Sequence, residues 1–144
     1  MAVTVASLAA KGWAMDTTLA GGQRLIDLPW VQLNLARVRA GVEALKLVCY
    51  KQAWAMTEGT LDMADASAAK VYGSEFFIEV YRLLGEVIGQ ASLVSRHSGT
   101  GQVLKGRIER MYRTASILTF GGGANEIQRD IISAAGLWMP RATR

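Results

Sequence analysis

At 144 residues, 51% of them hydrophobic and 19% charged, the chain can build one domain with a real core, and it is more apolar than a soluble monomer needs. No apolar run reaches the roughly 18 residues of a bilayer span, so no membrane helix and no membrane partner are expected. A single cysteine, Cys49, excludes a disulfide framework, and the net charge of +4 leaves nucleic acid or a phosphate-bearing ligand to be weighed.

The opening MAVTVASLAAKGWAMD has no positive segment ahead of its apolar part, so it does not read as a signal peptide. With the lone thiol, this gives a cytoplasmic expectation. There are two prolines and no strand-like alternation, which predicts an almost wholly helical chain. The first helix is expected over about residues 3–20, capped by Gly21 and Gly22. The second opens at DLPW, where Pro29 suits a first helical turn, and runs to about Glu58. Its predicted seam is Val31, Leu35, Val38, Val42, Leu45, Cys49 and Met56, with Gln52 as a polar gap and Cys49 as a packed core thiol. Leu33, Leu47, Tyr50 and Trp54 put apolar surface on other faces, as in a bundle interior or an oligomer contact.

The third helix is expected from Thr60, with Asp62 in its first turn, to about Gln90, on the seam Gly73, Phe77, Val80, Leu84 and Val87. SRHSGTGQ reads as a loop, followed by a basic helix over about residues 103–117. The glycine stretch in TFGGGANEIQRDII comes next, then a last helix over about residues 125–137 with Asn125 as candidate N-cap. The expected fold is all-α, a single domain (residues 1–144) built as an up-down four-helix bundle.

Little of the chemistry is specific. His97 is the only histidine and has no second His or Cys nearby, so no metal site and no Cys-His or Ser-His-Asp arrangement is expected. Glu75 and Glu79 lie four apart on one helical face and Glu86 follows, the arrangement of solvated carboxylates or of ion pairs with Arg82. Arg107, Arg110 and Arg113 share a face, but no aromatic-interleaved basic motif accompanies them, and nucleic acid is not expected. The glycine run lacks the Gly-Lys-Ser/Thr ending of a phosphate loop. It does offer backbone N–H groups without Cβ cover ahead of a helix, where an anion or a flat polar ring can approach closely.

RTASILTFGGGANEIQRDIISAAGLWMPR resembles the closing segment of the acyl-CoA dehydrogenases, with their GGTNEIQR-type motif. AAKVYGSEFF and RLIDLPWVQLNLARVRAGVEALKLVCYKQAW resemble two upstream helices of that family, in the same order and spacing, over about residues 20–141. The resemblance implies the family's C-terminal helical domain, with FAD as cofactor and an acyl-CoA thioester oxidised between Cα and Cβ. It also implies homo- or hetero-oligomer assembly with similar chains. Cofactor contacts would fall on Gly122, Gly123, Ala124, Asn125 and Glu126. The family's base position before that motif is Gly122, so no catalytic residue is expected, and the motif's threonine is Ala124. The family's FAD-facing arginine, phenylalanine and glutamine align with Leu19, Gly22 and Pro29, and its adenine-side segment reads Glu86 to Gln90. The chain alone is therefore expected to be inactive and to hold FAD poorly. The alternative is a non-enzymatic helical oligomerisation module derived from the same fold.

Overall fold

The first helix is built from small residues. Val3, Ala6, Ala10 and Ala14 recur every three or four positions and are all buried, so α1 (Ala2–Asp16) lies close against its neighbours. The computed structural model describes residues 2–95, 98 and 106–140. His97 and residues 103–105, the predicted start of the basic helix, lie outside the described residues.

α1 ends at Asp16, short of the predicted residue 20. Thr18 and Arg24 form an isolated antiparallel bridge, with Leu19 N–H donating to the Gln23 carbonyl at 2.9 Å. Gly22, at φ 81°, turns the chain between them. The glycine pair thus closes a small hairpin and does not cap a helix.

α2 (Pro29–Thr57) starts with Pro29 in its first turn, as predicted. α3 (Met63–Ile88) is capped by Asp62, whose carboxylate accepts from the N–H groups of Ala64 and Asp65. α4 (Arg107–Ala115) tightens into a 3-10 turn, Ser116–Thr119. α5 (Asn125–Ile131) runs on as a π-helical turn, Ile132–Gly136. The described residues thus hold five α-helices.

α2 and α3 pack antiparallel. Along them Asn34 meets Glu86, Gly41 meets Phe76, Leu45 meets Gly73 and Gln52 meets Asp65, in opposite chain order. The seam on α2 differs from the predicted one beyond Leu45. Val48 and Gln52 are half-buried and Ala55 is buried, whereas Met56 is 68% exposed and Cys49 is exposed. Cys49 is therefore not a core thiol. The partner column consists of Asn34, Gly41, Val48 and Ala55, of which only Val48 is the kind of residue an apolar pattern scores. Gly41 is the reason: an added Cβ would overlap the Phe76 ring, so the ring rests on bare α2 backbone. Tyr72 stacks parallel on that ring, with centroids 5.9 Å apart.

α3 is the centre. Val80, Tyr81, Leu83, Leu84, Val87 and Ile88 are all buried, so its C-terminal half is enclosed by α1, α2 and α4. The far side of α2 keeps its apolar surface: Leu47 and Tyr50 are each 68% exposed and Trp54 63%.

Gly41→Ala is expected to destabilise the chain by about 1–3 kcal/mol in chemical denaturation. Gly73→Ala, whose added Cβ would meet only Leu45 Cδ1 at 3.6 Å, is expected to be neutral or slightly stabilising.

Candidate functional site

The glycine corner is shaped by two left-handed residues, Gly122 (φ 73°) and Gly123 (φ 99°), after a tight turn in which Gly121 N–H donates to the Ile117 carbonyl at 2.9 Å. Residues with a Cβ rarely adopt these angles, so glycine is required by the backbone itself. At Gly123 there is a second reason, since an added Cβ would meet Gln128 Nε2 at 2.6 Å. At Gly122 nothing lies within 4 Å, and that side of the corner is open.

What holds the corner is a side chain from α3. Lys70 Nζ donates to the carbonyls of Thr119 (3.2 Å) and Gly123 (2.6 Å) and to Asn125 Oδ1 (2.6 Å). An ammonium has three donors, and all three are used on one corner. Asn125 is 3% exposed, and its Nδ2 donates to Ser74 Oγ at 3.0 Å and to Glu75 Oε1 at 3.2 Å. Glu75 also accepts from Arg129 at 2.6 Å. Gln128 Nε2 donates to the Gly122 carbonyl at 3.1 Å. Asn125 was the predicted N-cap; Ala124 takes that position, and Asn125 turns its amide inward to lock α5 onto α3.

This network sorts the corner's polar groups. The carbonyls of Thr119, Gly122 and Gly123 are bound by side chains, while the N–H groups of Asn125, Glu126 and Ile127 have no acceptor among the described residues. Ala124 is half-buried and Glu126 exposed. The open side therefore presents donors over a half-buried positive charge, the electrostatics that suit an electron-rich or anionic group.

The five predicted contact residues are contiguous, and the structure keeps them at one corner, though Asn125 turns its side chain away from the open side. Lys70 and Ser74 were not singled out from the sequence. Their signal is an i, i+4 polar pair on a helix face that otherwise buries Ala64, Ser67 and Val71. The carboxylates expected to be solvated or paired with Arg82 divide: Glu75 goes to Arg129, and Glu79 goes to Arg82 at 2.6 Å. Hydrogen bonds from Arg82 hold the half-exposed Glu79 below its usual pKa, so it stays ionised and paired. Asn34 and Arg82 both bind Glu86. Arg113 pairs with Glu109 at 2.8 Å, and Arg107 and Arg110 are exposed. Among the described residues no three His, Cys, Asp or Glu side chains converge, and no helix is long and apolar enough to cross a membrane.

A family model described as acyl-CoA dehydrogenase, C-terminal domain, matches residues 4–137. The chain is 54% identical over 138 residues to acyl-CoA dehydrogenase FadE26 of Mycobacterium tuberculosis, covering 93% of this chain and 34% of that protein. It is 33% identical over 119 residues to FadE29 of the same organism, covering 83% and 30%. Among solved structures it is similar to a chain of the ChsE4-ChsE5 complex from Mycobacterium tuberculosis, with TM-score 0.88 and 50% identity over 97% of this chain and 36% of that one. The Tcur3481-Tcur3483 steroid ACAD follows, with TM-score 0.87 and 38% identity over 97% and 35%. The chain spans about a third of the length of the curated relatives it matches.

Lys70→Met removes the charge and leaves three acceptors of the corner without their donor. The expected loss is about 2–4 kcal/mol in denaturant unfolding, with amide exchange accelerated first at residues 119–127. Lys70→Arg is expected to recover part of it.

Proposed function

The chain belongs to the acyl-CoA dehydrogenase family, and on that premise we propose that it serves as the helical C-terminal part of an FAD-dependent enzyme that oxidises the Cα–Cβ bond of an acyl-CoA thioester. In this reading it works in a hetero-oligomer with a second dehydrogenase-like chain. The complex between the two named chains ChsE4 and ChsE5 supports that assembly, and the description of a 38%-identical structure as a steroid ACAD supports a steroid-derived acyl group.

The observation that carries the proposal is the glycine corner. Its backbone suits the edge of a flat cofactor that carries hydrogen-bond acceptors: Gly122 leaves open space where a Cβ would stand, and N–H groups without an acceptor among the described residues follow. Gly122, Gly123 and Ala124 would border that edge, and Asn125 and Glu126 would offer backbone donors to it. FAD, when bound, supplies the hydride acceptor. This chain's residues position and shield. Lys70 and Asn125 hold the corner rigid, so little conformational freedom is lost when a ligand docks. Ala124 brings no hydroxyl and Gly122 no carboxylate, and Glu75 is committed to Arg129 and Asn125. In this reading the base that removes the α-proton is not supplied by the glycine corner.

A tagged copy purified from its own host and weighed by native mass spectrometry tests this directly. The expected species is a hetero-oligomer that carries FAD and a dehydrogenase-like partner. A flavin-free homo-oligomer would instead support an oligomerisation module without enzymatic function. Gly122→Glu in the chain alone, strained by the left-handed φ of that position, is expected to give no acyl-CoA turnover, and turnover would overturn the division of labour proposed here.

A further inference from the structure

Lys70 is the one lysine or arginine among the described residues that the fold half-buries, and the others are exposed. Most of those exposed cations pair with a carboxylate. Lys70 does not. Its three acceptors, the Thr119 and Gly123 carbonyls and Asn125 Oδ1, are all neutral. Two of them bracket the glycine run on its own backbone, so the charge rests against the corner itself.

The carboxylates at the corner leave this charge uncancelled. Glu75 is taken by Arg129 at 2.6 Å and by the Asn125 amide at 3.2 Å. Glu126 is exposed, where water and salt screen its field. A charge drawn partly out of water without a counter-charge costs free energy, and that cost falls when negative charge gathers beside it. Its influence also reaches beyond hydrogen-bond distance, because the effective dielectric constant at a partly buried site is about 20 rather than roughly 80.

We propose that Lys70 sets the redox poise of a flavin bound at the corner, by favouring the reduced form over the oxidised form. The inference rests on the cofactor reading given above and deepens it. In that oxidation the acyl group loses a proton from Cα and a hydride from Cβ. The hydride goes to the flavin, which ends one unit more negative than it began. The Lys70 charge is present before and after, so only this difference counts, and its sign stabilises the reduced state. Lys70 thereby raises the flavin's reduction potential. It is a positioning residue, placed against the Gly123 peptide and the Asn125 amide and acting through its field rather than by touching substrate.

The test uses the complex copurified from the host, with FAD content read from its absorbance and the two-electron midpoint potential from equilibration with a reference dye. Lys70→Met and Lys70→Gln remove the charge, the second keeping a hydrogen-bond donor, while Lys70→Arg keeps the charge in another shape. Each neutral variant is expected to weaken the preference for reduced flavin about tenfold, a fall of about 30 mV in midpoint potential. Lys70→Arg is expected to stay near the native value. An unchanged potential in a neutral variant that retains FAD would overturn the proposal and leave the cofactor reading intact. An equal fall in Lys70→Arg would also overturn it, as would loss of FAD from all three variants, because shape and not charge would then be what Lys70 supplies. Loss of FAD from the two neutral variants alone would support it. A native complex without flavin would overturn the cofactor reading and this inference together.

Discussion

The other helices all lean on α3, and the chain's architecture depends on how one helix can be surrounded. Its two halves solve this differently. The C-terminal half buries large apolar residues in near succession, from Val80 to Ile88, so that packing alone fixes α1, α2 and α4 around it. The N-terminal half buries Ala64, Ser67, Val71 and Ser74, which bring less apolar surface. There the attachment of α5 and the glycine corner is polar, through Lys70, Ser74 and Asn125. The candidate site therefore sits where the core is thinnest and hydrogen bonding has to do what side-chain volume does elsewhere.

That arrangement gives the corner its character. A run of three glycines loses much conformational freedom on folding. Saturating one ammonium with two backbone carbonyls and a buried amide offsets this loss and fixes the peptide planes in one orientation. The same contacts turn the carbonyls inward and leave donors outward, so the stability of the corner and its binding chemistry come from one set of bonds. The chain thus keeps the glycine backbone of the family's closing motif while carrying no carboxylate at Gly122.

Much of the fold was legible. Pro29 and Asp62 fixed the starts of α2 and α3, and the closing motif identified the family from a few residues. The failures have particular causes. At Gly21 and Gly22 the sequence pattern for a helix cap and for a tight hairpin is the same, and the Thr18–Arg24 bridge decides between them through backbone pairing that no local pattern reveals. On α2, an apolar seam favoured Cys49 and Met56 over Val48, Gln52 and Ala55, because close approach at Gly41 rewards small residues that hydrophobic spacing does not score. Asn125 has the chemistry of a cap, yet a half-buried lysine 55 residues earlier gives its carbonyl oxygen a stronger partner. The span and composition of the glycine corner were readable, but its organising charge was not, since Lys70 reaches it only through tertiary structure.

The uncovered side of α2 bears on what stability means for this molecule. Leu47, Tyr50 and Trp54 are aromatic and aliphatic surface that a folded chain holds ready but an unfolded chain presents to no one in that arrangement. Any polypeptide that covers them binds the native state alone, and by mass action it adds RT ln(1 + [partner]/Kd), about 2.7 kcal/mol at a hundredfold excess over Kd. The melting temperature of a chain with such a surface is then a property of its concentration and company as well as of the sequence, and it rises with whatever covers that side of α2.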